Sequence, residues 1–218
     1  CPDTPGQTNK KPFVIPVTLG LVDAAGEDMV LNQAGDGEIT LELHEEHKRI
    51  TFDNISVEPV PSLLRGFSAP VKLNFPYTDE QLIHLLTYDS DGFNRWDACQ
   101  TYCLSVLNKL IADHQAGRTL VLDPLAITAF GSLLRNHHLD PAMVALMLHL
   151  PSESLLHELA EVIQPEAIHG AREFMRKALA VALAEEFNDV YERHSVAVDY
   201  APEAEQVGAR SLKNAAMS

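Results

Sequence analysis

The strongest constraint on the fold of this chain is a change in the spacing of its apolar residues. Between Phe13 and Phe75, apolar and polar residues alternate and Gly and Pro are frequent, which is typical of short β-strands joined by turns. From Thr78 onward, apolar residues recur every three to four positions, as they do on one face of a helix. The change predicts an α+β chain of two domains, a small antiparallel β-sandwich over residues 1–76 and an all-α domain over residues 77–218.

The first 76 residues predict several short strands after a polar, extended tail over residues 1–11. The predicted elements are a strand over 13–22, a short return strand over 29–31, a hairpin over 38–52 and a last strand over 67–75 that is broken at Pro70. Pro59 and Pro61 exclude a central strand at their own position, because proline has no backbone N–H to donate. Short antiparallel strands with turns between them favour an antiparallel β-sandwich.

The second part of the chain predicts six helices and the beginning of a seventh. Thr78-Asp79-Glu80-Gln81 has the form of a capping box, and Asp91 is a candidate N-cap for a long helix ending near Gly117. Asp123-Pro124 and Asp140-Pro141 each place a capping carboxylate before a proline at the first helical position. The remaining predicted helices are a short one over 155–163, a long one over 165–194 and one that begins near residue 209. Tight connections favour antiparallel helix pairs.

The acidic composition limits the partners of this chain. It carries 31 acidic and 16 basic residues among 218, a formal net charge of -15. The acidic excess is present on both sides of Tyr77, so a nucleic-acid backbone or an anionic membrane surface would be repelled. No apolar run reaches the roughly 20 residues that span a bilayer. We therefore expect a cytoplasmic protein that binds neither nucleic acid nor membrane.

The cysteines also favour a reducing compartment. Cys99 and Cys103 lie one helical turn apart in a predicted helix, so they share a face and are expected in the core. A disulfide is not expected between them inside a regular helix, and Cys1 is far away in sequence. The N-terminal residues carry neither an initiating Met nor a signal peptide, so we expect a piece of a longer chain or a processed product.

The histidines are the residues that most invite a metal-site hypothesis. In His44-Glu45-Glu46-His47 the histidines are three positions apart, whereas the H-E-x-x-H zinc helix needs four, so we prefer a solvated loop tip. His137-His138 lies at a predicted helix end, where His can interact favourably with the helix dipole. The scattered His149, His157 and His169 have no second ligand at zinc spacing.

Other catalytic patterns are incomplete. Ser68 and Ser132 lack the G-x-S-x-G turn of a nucleophile, and the sequence contains no phosphate-binding glycine loop. Acidic pairs such as Glu158/Glu161 and Glu185-Glu186 are expected on solvated helix faces rather than as acid/base pairs.

The single Trp is interpreted as a structural anchor. Trp96 is expected in the middle of a helix, where its large ring contributes buried area and its N–H a polar contact. The neighbouring Arg95 is expected to pair with Asp91 or Asp97. From its residues alone, the chain shows a small β-domain, a helical domain and no self-contained active site.

Four segments of the chain carry recognisable motifs in a fixed order. They are Lys11–Leu21, of the form K-P-x-x-I-P-x-x-x-G-L, then Pro59–Leu73, Phe93–Gln100, and Arg210–Asn214, of the form R-x-L-K-N. In order and spacing these segments resemble the bacterial-type zinc aminopeptidase N family, and the resemblance covers essentially the whole chain.

The resemblance implies a non-catalytic part of a larger enzyme. In that family a β-saddle and a thermolysin-like catalytic domain precede a small β-sandwich and a large helical domain that closes over the active site. This chain would supply part of the third domain, as an incomplete Ig-like β-sandwich, and the first part of the fourth, as a superhelical, ARM-like array of helix pairs. The family's H-E-x-x-H helix, distal Glu ligand, G-A-M-E-N segment and transition-state Tyr have no counterpart here. We therefore expect no catalytic, cofactor-binding or metal-binding residue in this chain, with the zinc held elsewhere in the parent enzyme.

The same resemblance implies the partners. They are the remainder of the same polypeptide, with its catalytic domain, and the peptide substrates of the parent enzyme. Strands upstream of Cys1 and helices after Ser218 would then be missing, which leaves open edges through which copies of the chain can associate. The alternative interpretation is a non-enzymatic module in which a β-sandwich and a helical adaptor bind a peptide or protein.

Overall fold

The computed structural model describes residues 3–8, 10–53, 55–195 and 199–217. They form two compact units, residues 1–95 and residues 96–218. The first contains a sheet and the helix that follows it, and the second consists of helices. Among the described residues, no helix combines the length and the apolar character that a membrane crossing requires.

The sheet of the first unit has three antiparallel strands. They are β1 (Ile15–Val22), β2 (Glu38–Leu43) and β3 (Val60–Leu63). The order is β2-β1-β3, so β1 is central and Leu19 lies opposite Ile39 on one side and Leu63 on the other. The alternation of the sequence places these apolar side chains on one face of the sheet.

The proline-containing strand lies at an edge, as the sequence predicts. Pro61 in β3 is paired with Leu21 of β1, and no strand within the described range lies on the other side of β3. An edge strand has only one neighbouring strand, so a proline there does not remove a hydrogen bond to a second strand. The Pro61 carbonyl accepts a hydrogen bond from the Tyr77 hydroxyl, with the two oxygens 2.7 Å apart.

The predicted hairpin over 38–52 is wrong. Its outgoing strand is β2, but β2 pairs with β1, and the described residues that follow Leu43 as far as Asp53 form no strand. Lys48 Nζ donates to the Glu42 carbonyl at 2.6 Å, so the chain folds back on the end of β2 instead of pairing along it. Ile50 stays 39% exposed, which shows that its side chain is not buried on a sheet face.

Two other predicted strands are absent from the described residues. The return strand over 29–31 is reduced to an isolated bridge of Asp28 with Val22 and one backbone bond from Met29 to Leu21. Where the sequence predicts the strand over 67–75, a short 3₁₀ turn (Arg65–Phe67) ends at the first residue, and residues 68–75 are irregular chain. Pro70 and Pro76 remove two backbone donors there, and the backbone bonds of this segment are local turns.

Eight α-helices follow within the described residues. They are α1 (Asp79–Tyr88), α2 (Gly92–Gln115), α3 (Pro124–Arg135), α4 (Pro141–Leu148), α5 (Glu153–Leu159), α6 (Pro165–Ala182), α7 (Ala184–Arg193) and α8 (Ala204–Met217). The boundary between the two compact units falls inside α2.

The helix starts agree closely with the sequence signals. At α1 the Thr78 hydroxyl accepts from the Gln81 N–H at 3.2 Å, and the Gln81 side chain accepts from the Thr78 N–H at 3.0 Å. This is the reciprocal capping box that the sequence predicts. Asp91, Asp123 and Asp140 each accept a backbone N–H from the first turn of their helix, at 2.8, 2.9 and 2.9 Å. Such caps satisfy N–H groups that a helix start leaves unpaired.

The long helix predicted over 165–194 is instead two helices. Leu183 lies at the break with φ -117° and ψ 26°, and it is buried, with 3% of its surface exposed. The last helix begins at Ala204, earlier than predicted, and α5 ends at Leu159 rather than near 163.

The core of the second unit is mostly aliphatic and includes both central cysteines. Cys99 and Cys103 are fully buried free thiols on one face of α2, as expected from their spacing. Cys99 Sγ lies 3.5 Å from the Met147 carbonyl, and Phe130 and Met175 are among the fully buried side chains of this core. Cys1 lies outside the described residues.

The cap at Asp123 gives a simple test of the helix starts. Asp123→Ala removes the side-chain acceptor at the first turn of α3 and is expected to lower the free energy of unfolding by about 1 kcal/mol. Asp123→Asn retains an acceptor and is expected to change it by a few tenths of a kcal/mol at most. Urea denaturation of both variants measures the difference. Equal losses in the two would show that the cap is not what stabilises this start.

Candidate functional site: a buried arginine cluster and an apolar cleft

A buried arginine lies at the centre of the first unit. The side chain of Arg65, which follows β3, is only 2% exposed. Leu64 before it adopts φ 61° and ψ 34°, a left-handed conformation that is uncommon for a residue with a Cβ. This sharp turn directs the Arg65 side chain back over β1. A Cβ at Gly20 would lie 2.3 Å from Arg65 Cζ, so only glycine leaves room for the guanidinium there.

Two carboxylates and a hydroxyl surround the guanidinium. Arg65 Nη1 and Nη2 donate to the two oxygens of Asp28 at 3.1 and 2.6 Å, which is a bidentate pair. Nη2 also donates to Asp89 Oδ1 at 3.0 Å, and Nε donates to Ser62 Oγ at 2.8 Å. The Asp89 side chain is fully buried, and the Asp28 side chain is 27% exposed.

An asparagine completes the cluster from the first turn of α2. Asn94 Nδ2 donates to Ser62 Oγ at 2.8 Å and to the Leu63 carbonyl at 2.9 Å. We use the name Arg65 cluster for Asp28, Ser62, Arg65, Asp89 and Asn94. It joins the turn after β1, the end of β3 and the residues between α1 and α2 in one hydrogen-bonded network.

The two carboxylates of the cluster differ in their electrostatics. Burial raises the pKa of Asp28, but hydrogen bonds from Arg65 and Ser90 and the positive charge of Arg65 outweigh burial, so the pKa lies below its ordinary value. Burial also raises the pKa of Asp89; the Ser62 hydroxyl, the Asp91 N–H and the Arg65 charge offset only part of this, so that pKa stays above its ordinary value. Asp89 Oδ2 has no hydrogen-bond partner in the described part of the chain.

A second set of contacts fixes the same turn to α1. His84 Nε2 lies 2.7 Å from the Asp23 carbonyl, and the His84 and Tyr88 rings are 5.0 Å apart. A Cβ at Gly26 would lie 2.4 Å from the Tyr88 ring, and Gly26 has φ +90°, so both space and backbone favour glycine there. The turn after β1 therefore contacts α1 through His84 and Tyr88, and these contacts do not involve Arg65.

The polar residues singled out in the sequence are placed mostly in structural contacts. Arg95 does not pair with the carboxylate of Asp91 or Asp97 as expected, because its Nε and Nη2 donate to the Asp89 carbonyl. Ser68 Oγ accepts from a backbone N–H at 3.0 Å, and Ser132 Oγ donates to a backbone carbonyl at 2.7 Å.

The histidines do not converge. His44 and His47 lie in the exposed loop after β2, which matches the solvated loop tip preferred from the sequence. His149 Nδ1 is 2.6 Å from a carbonyl of its own helix, and His169 Nδ1 is 2.8 Å from Glu153 Oε1. Within the described ranges, no group of three or more His, Cys, Asp and Glu side chains is placed to hold a metal ion.

A cleft lies in the second unit, between α6, α7 and the ends of α4 and α8. Its volume is about 600 Å³, within the range of small-molecule and peptide pockets. Apolar side chains, among them Phe130, Leu179 and Phe187, form much of its lining, and Arg172 and Arg176 add positive charge. Arg176 is paired with a glutamate on its own helix at 2.8 Å, and Arg172 Nε donates to a backbone carbonyl at 3.0 Å.

The pH dependence of stability tests the Arg65 cluster. Because the pKa of Asp28 is lower in the folded state, its contribution is present above its unfolded pKa of about 3.9 and is lost as pH falls through the folded pKa. Asp28→Asn is expected to cost about 2 kcal/mol at pH 7, and the difference from the wild type should shrink below about pH 4. Denaturant unfolding between pH 3 and 7 measures both effects. Asp113→Asn, in an Arg–Asp pair with the more exposed Arg118, is the matched control; a loss at Asp113 as large as at Asp28 would contradict the assignment.

Two family models match this chain, one before and one after the change in apolar spacing near residue 77. Residues 79–218 match the domain of unknown function DUF3458_C, described as ARM repeats, and residues 1–76 match the domain of unknown function DUF3458, described as an Ig-like fold. These matches confirm the predicted fold class. The domain boundary at residues 76/77 stays a prediction, since the first compact unit continues to Arg95.

The proteins that the chain resembles are named aminopeptidases. The chain is 36% identical to aminopeptidase N of Escherichia coli over 99% of its own length and 25% of that protein, and 33% identical to aminopeptidase N of Haemophilus influenzae over 98% and 24%. A crystal structure of Legionella pneumophila aminopeptidase A with aspartic acid superposes with a TM-score of 0.78 at 28% identity, covering 93% of this chain and 23% of that one. The chain thus spans about a quarter of the relatives it matches. By its match over residues 79–218, it belongs to the DUF3458_C family of ARM-repeat domains, here preceded by an Ig-like DUF3458 domain.

Proposed function

We propose that this chain is a non-catalytic part of a zinc metallo-aminopeptidase that releases N-terminal residues from peptides. The observation that carries the proposal is the alignment of nearly the whole chain with a quarter of each of two proteins named aminopeptidase N. Because nearly the whole chain aligns with a minor part of two larger proteins, we assign to it the role of the corresponding part of such an enzyme.

The zinc chemistry is assigned to other parts of the polypeptide. Zinc in a hydrolase activates a water molecule and needs three protein ligands with one open position. No such group of side chains occurs among the described residues, and the histidines singled out in the sequence do not converge. We therefore assign no step of peptide hydrolysis to the residues that the structure describes.

The proposed role is to support and wall the reaction chamber. The helical part would act as a lid that limits access to small or unfolded substrates. Its match to an ARM-repeat domain supports this role, because repeats of this kind build extended surfaces. Its partners would be the rest of the same polypeptide and the peptide substrates, in the cytoplasm. The net charge of -15 and the free thiols support that compartment and oppose nucleic acid or membrane as a partner.

One observation favours a second candidate function, a non-enzymatic module that binds a peptide or protein. The cleft of about 600 Å³ in the helical unit combines apolar side chains with two arginines, which is the composition of a peptide-binding groove. Pull-down of a stoichiometric partner other than the rest of the aminopeptidase polypeptide would favour this second function over the first.

Activity measurements separate the chain from its parent. The purified 218-residue chain is expected to release no amino acid from aminoacyl amides with added zinc. The complete polypeptide is expected to release them and to lose that activity when a chelator removes its zinc. Zinc-dependent release by the 218-residue chain alone, or its absence from the complete polypeptide, would overturn the proposal.

A further inference from the structure

We propose that α1 and the first turn of α2 fold and unfold as one cooperative unit with the three-stranded sheet, and that the Arg65 cluster is the latch that joins them. The sequence families divide the chain between residues 76 and 79, which would assign α1 to the helical domain. The contacts within the first unit assign it to the sheet instead.

The first argument is the apolar core of the unit. In the first 76 residues the buried apolar side chains of the described part are Leu19, Leu21, Val22, Leu64 and Ala69. A three-stranded sheet with so few buried residues has little hydrophobic stabilisation of its own. The α1 helix adds Leu82, Leu85 and Leu86, which are 4%, 3% and 0% exposed, and this helix contacts β3. The sheet therefore needs α1 to complete its core.

The second argument is the connectivity of the Arg65 cluster. Arg65 bonds Asp28, 37 positions before it, and Asp89, 24 positions after it, with both contacts in the same guanidinium. Asn94 bonds the Ser62 hydroxyl and a β3 carbonyl, and the Asp91 carboxylate accepts from the Gly66 N–H at 2.8 Å. Separation of α1 and the first turn of α2 from the sheet would break the Arg65–Asp89 bond and the bonds of Asn94 to β3. Arg65 would keep its bonds to Asp28 and Ser62, which both precede α1. Losing one of two carboxylates from a buried guanidinium, and the amide donor from β3, is costly, so these bonds oppose the separation.

The third argument is that separate contacts fasten the same elements together. His84 and Tyr88 on α1 hold the turn after β1, and the Tyr77 hydroxyl donates to the β3 residue Pro61. Every connection from the sheet to residues 77–94 described above thus lies inside the first compact unit.

Native-state hydrogen exchange on the complete chain tests the proposal without any variant. Across a denaturant series, amides of α1 are expected to join the unfolding isotherm of the β1 amides, because residues of one cooperative unit share one opening free energy. Amides of α3 and α6 are expected on a separate isotherm. If α1 follows α3 and α6 while β1 opens independently, the proposal is wrong.

A pair of matched substitutions tests the latch itself. Arg65→Lys keeps the charge but loses the bidentate pair and the bond to Ser62, so protection in β1 and α1 is expected to fall together by about tenfold or more. Arg118→Lys makes the same chemical change in a 60% exposed pair of the second unit and is expected to leave both elements unchanged.

Two outcomes of that comparison would contradict the latch. A loss of protection in β1 with α1 unchanged would show that the two elements open separately, and equal small effects of the two substitutions would show that Arg65 is not the link. If Arg65→Lys does not fold, Asp28→Asn, which removes charge from the partly exposed side of the cluster, gives the same paired readout.

Discussion

The burial of one guanidinium between two carboxylates is the interaction on which the first unit depends. Removing charges from water costs several kcal/mol for each ion, so a buried pair is maintained only when hydrogen bonds satisfy it. Arg65 meets this condition with bonds to Asp28, Asp89 and Ser62, and the bare Gly20 backbone provides the space. The small sheet, its left-handed turn at Leu64 and the helix that follows are arranged around that requirement.

The second unit is stabilised by a different balance of forces. The helices α3, α4 and α5 begin at side-chain caps, and the unit buries a mostly aliphatic core that includes two free thiols, so local signals and hydrophobic burial both contribute to its stability. The break at Leu183 interrupts a continuous apolar pattern, since both Leu179 and Leu183 are buried on either side of the end of α6. An array of this kind presents surfaces, which suits a wall or lid better than a reaction centre.

Features that depend on neighbouring residues could be predicted from the sequence, whereas strand pairing and contacts between distant residues could not. The caps at Thr78, Asp91, Asp123 and Asp140 depend on residues one to three positions away, so their patterns could be recognised directly. The hairpin over 38–52 failed because alternation identifies a strand but not its partner, and β2 pairs with β1 across an intervening turn. The Arg65 cluster left no local signal, since its acidic members are 37 and 24 positions from the arginine.

We propose that these residues shape and enclose a reaction centre that other parts of a longer polypeptide provide. Equilibrium dialysis against zinc, followed by metal analysis of the purified protein, is the decisive experiment for this proposal. The 218-residue chain is expected to retain no stoichiometric zinc, whereas the complete polypeptide is expected to retain it. Stoichiometric zinc bound tightly by the 218-residue chain alone would contradict it.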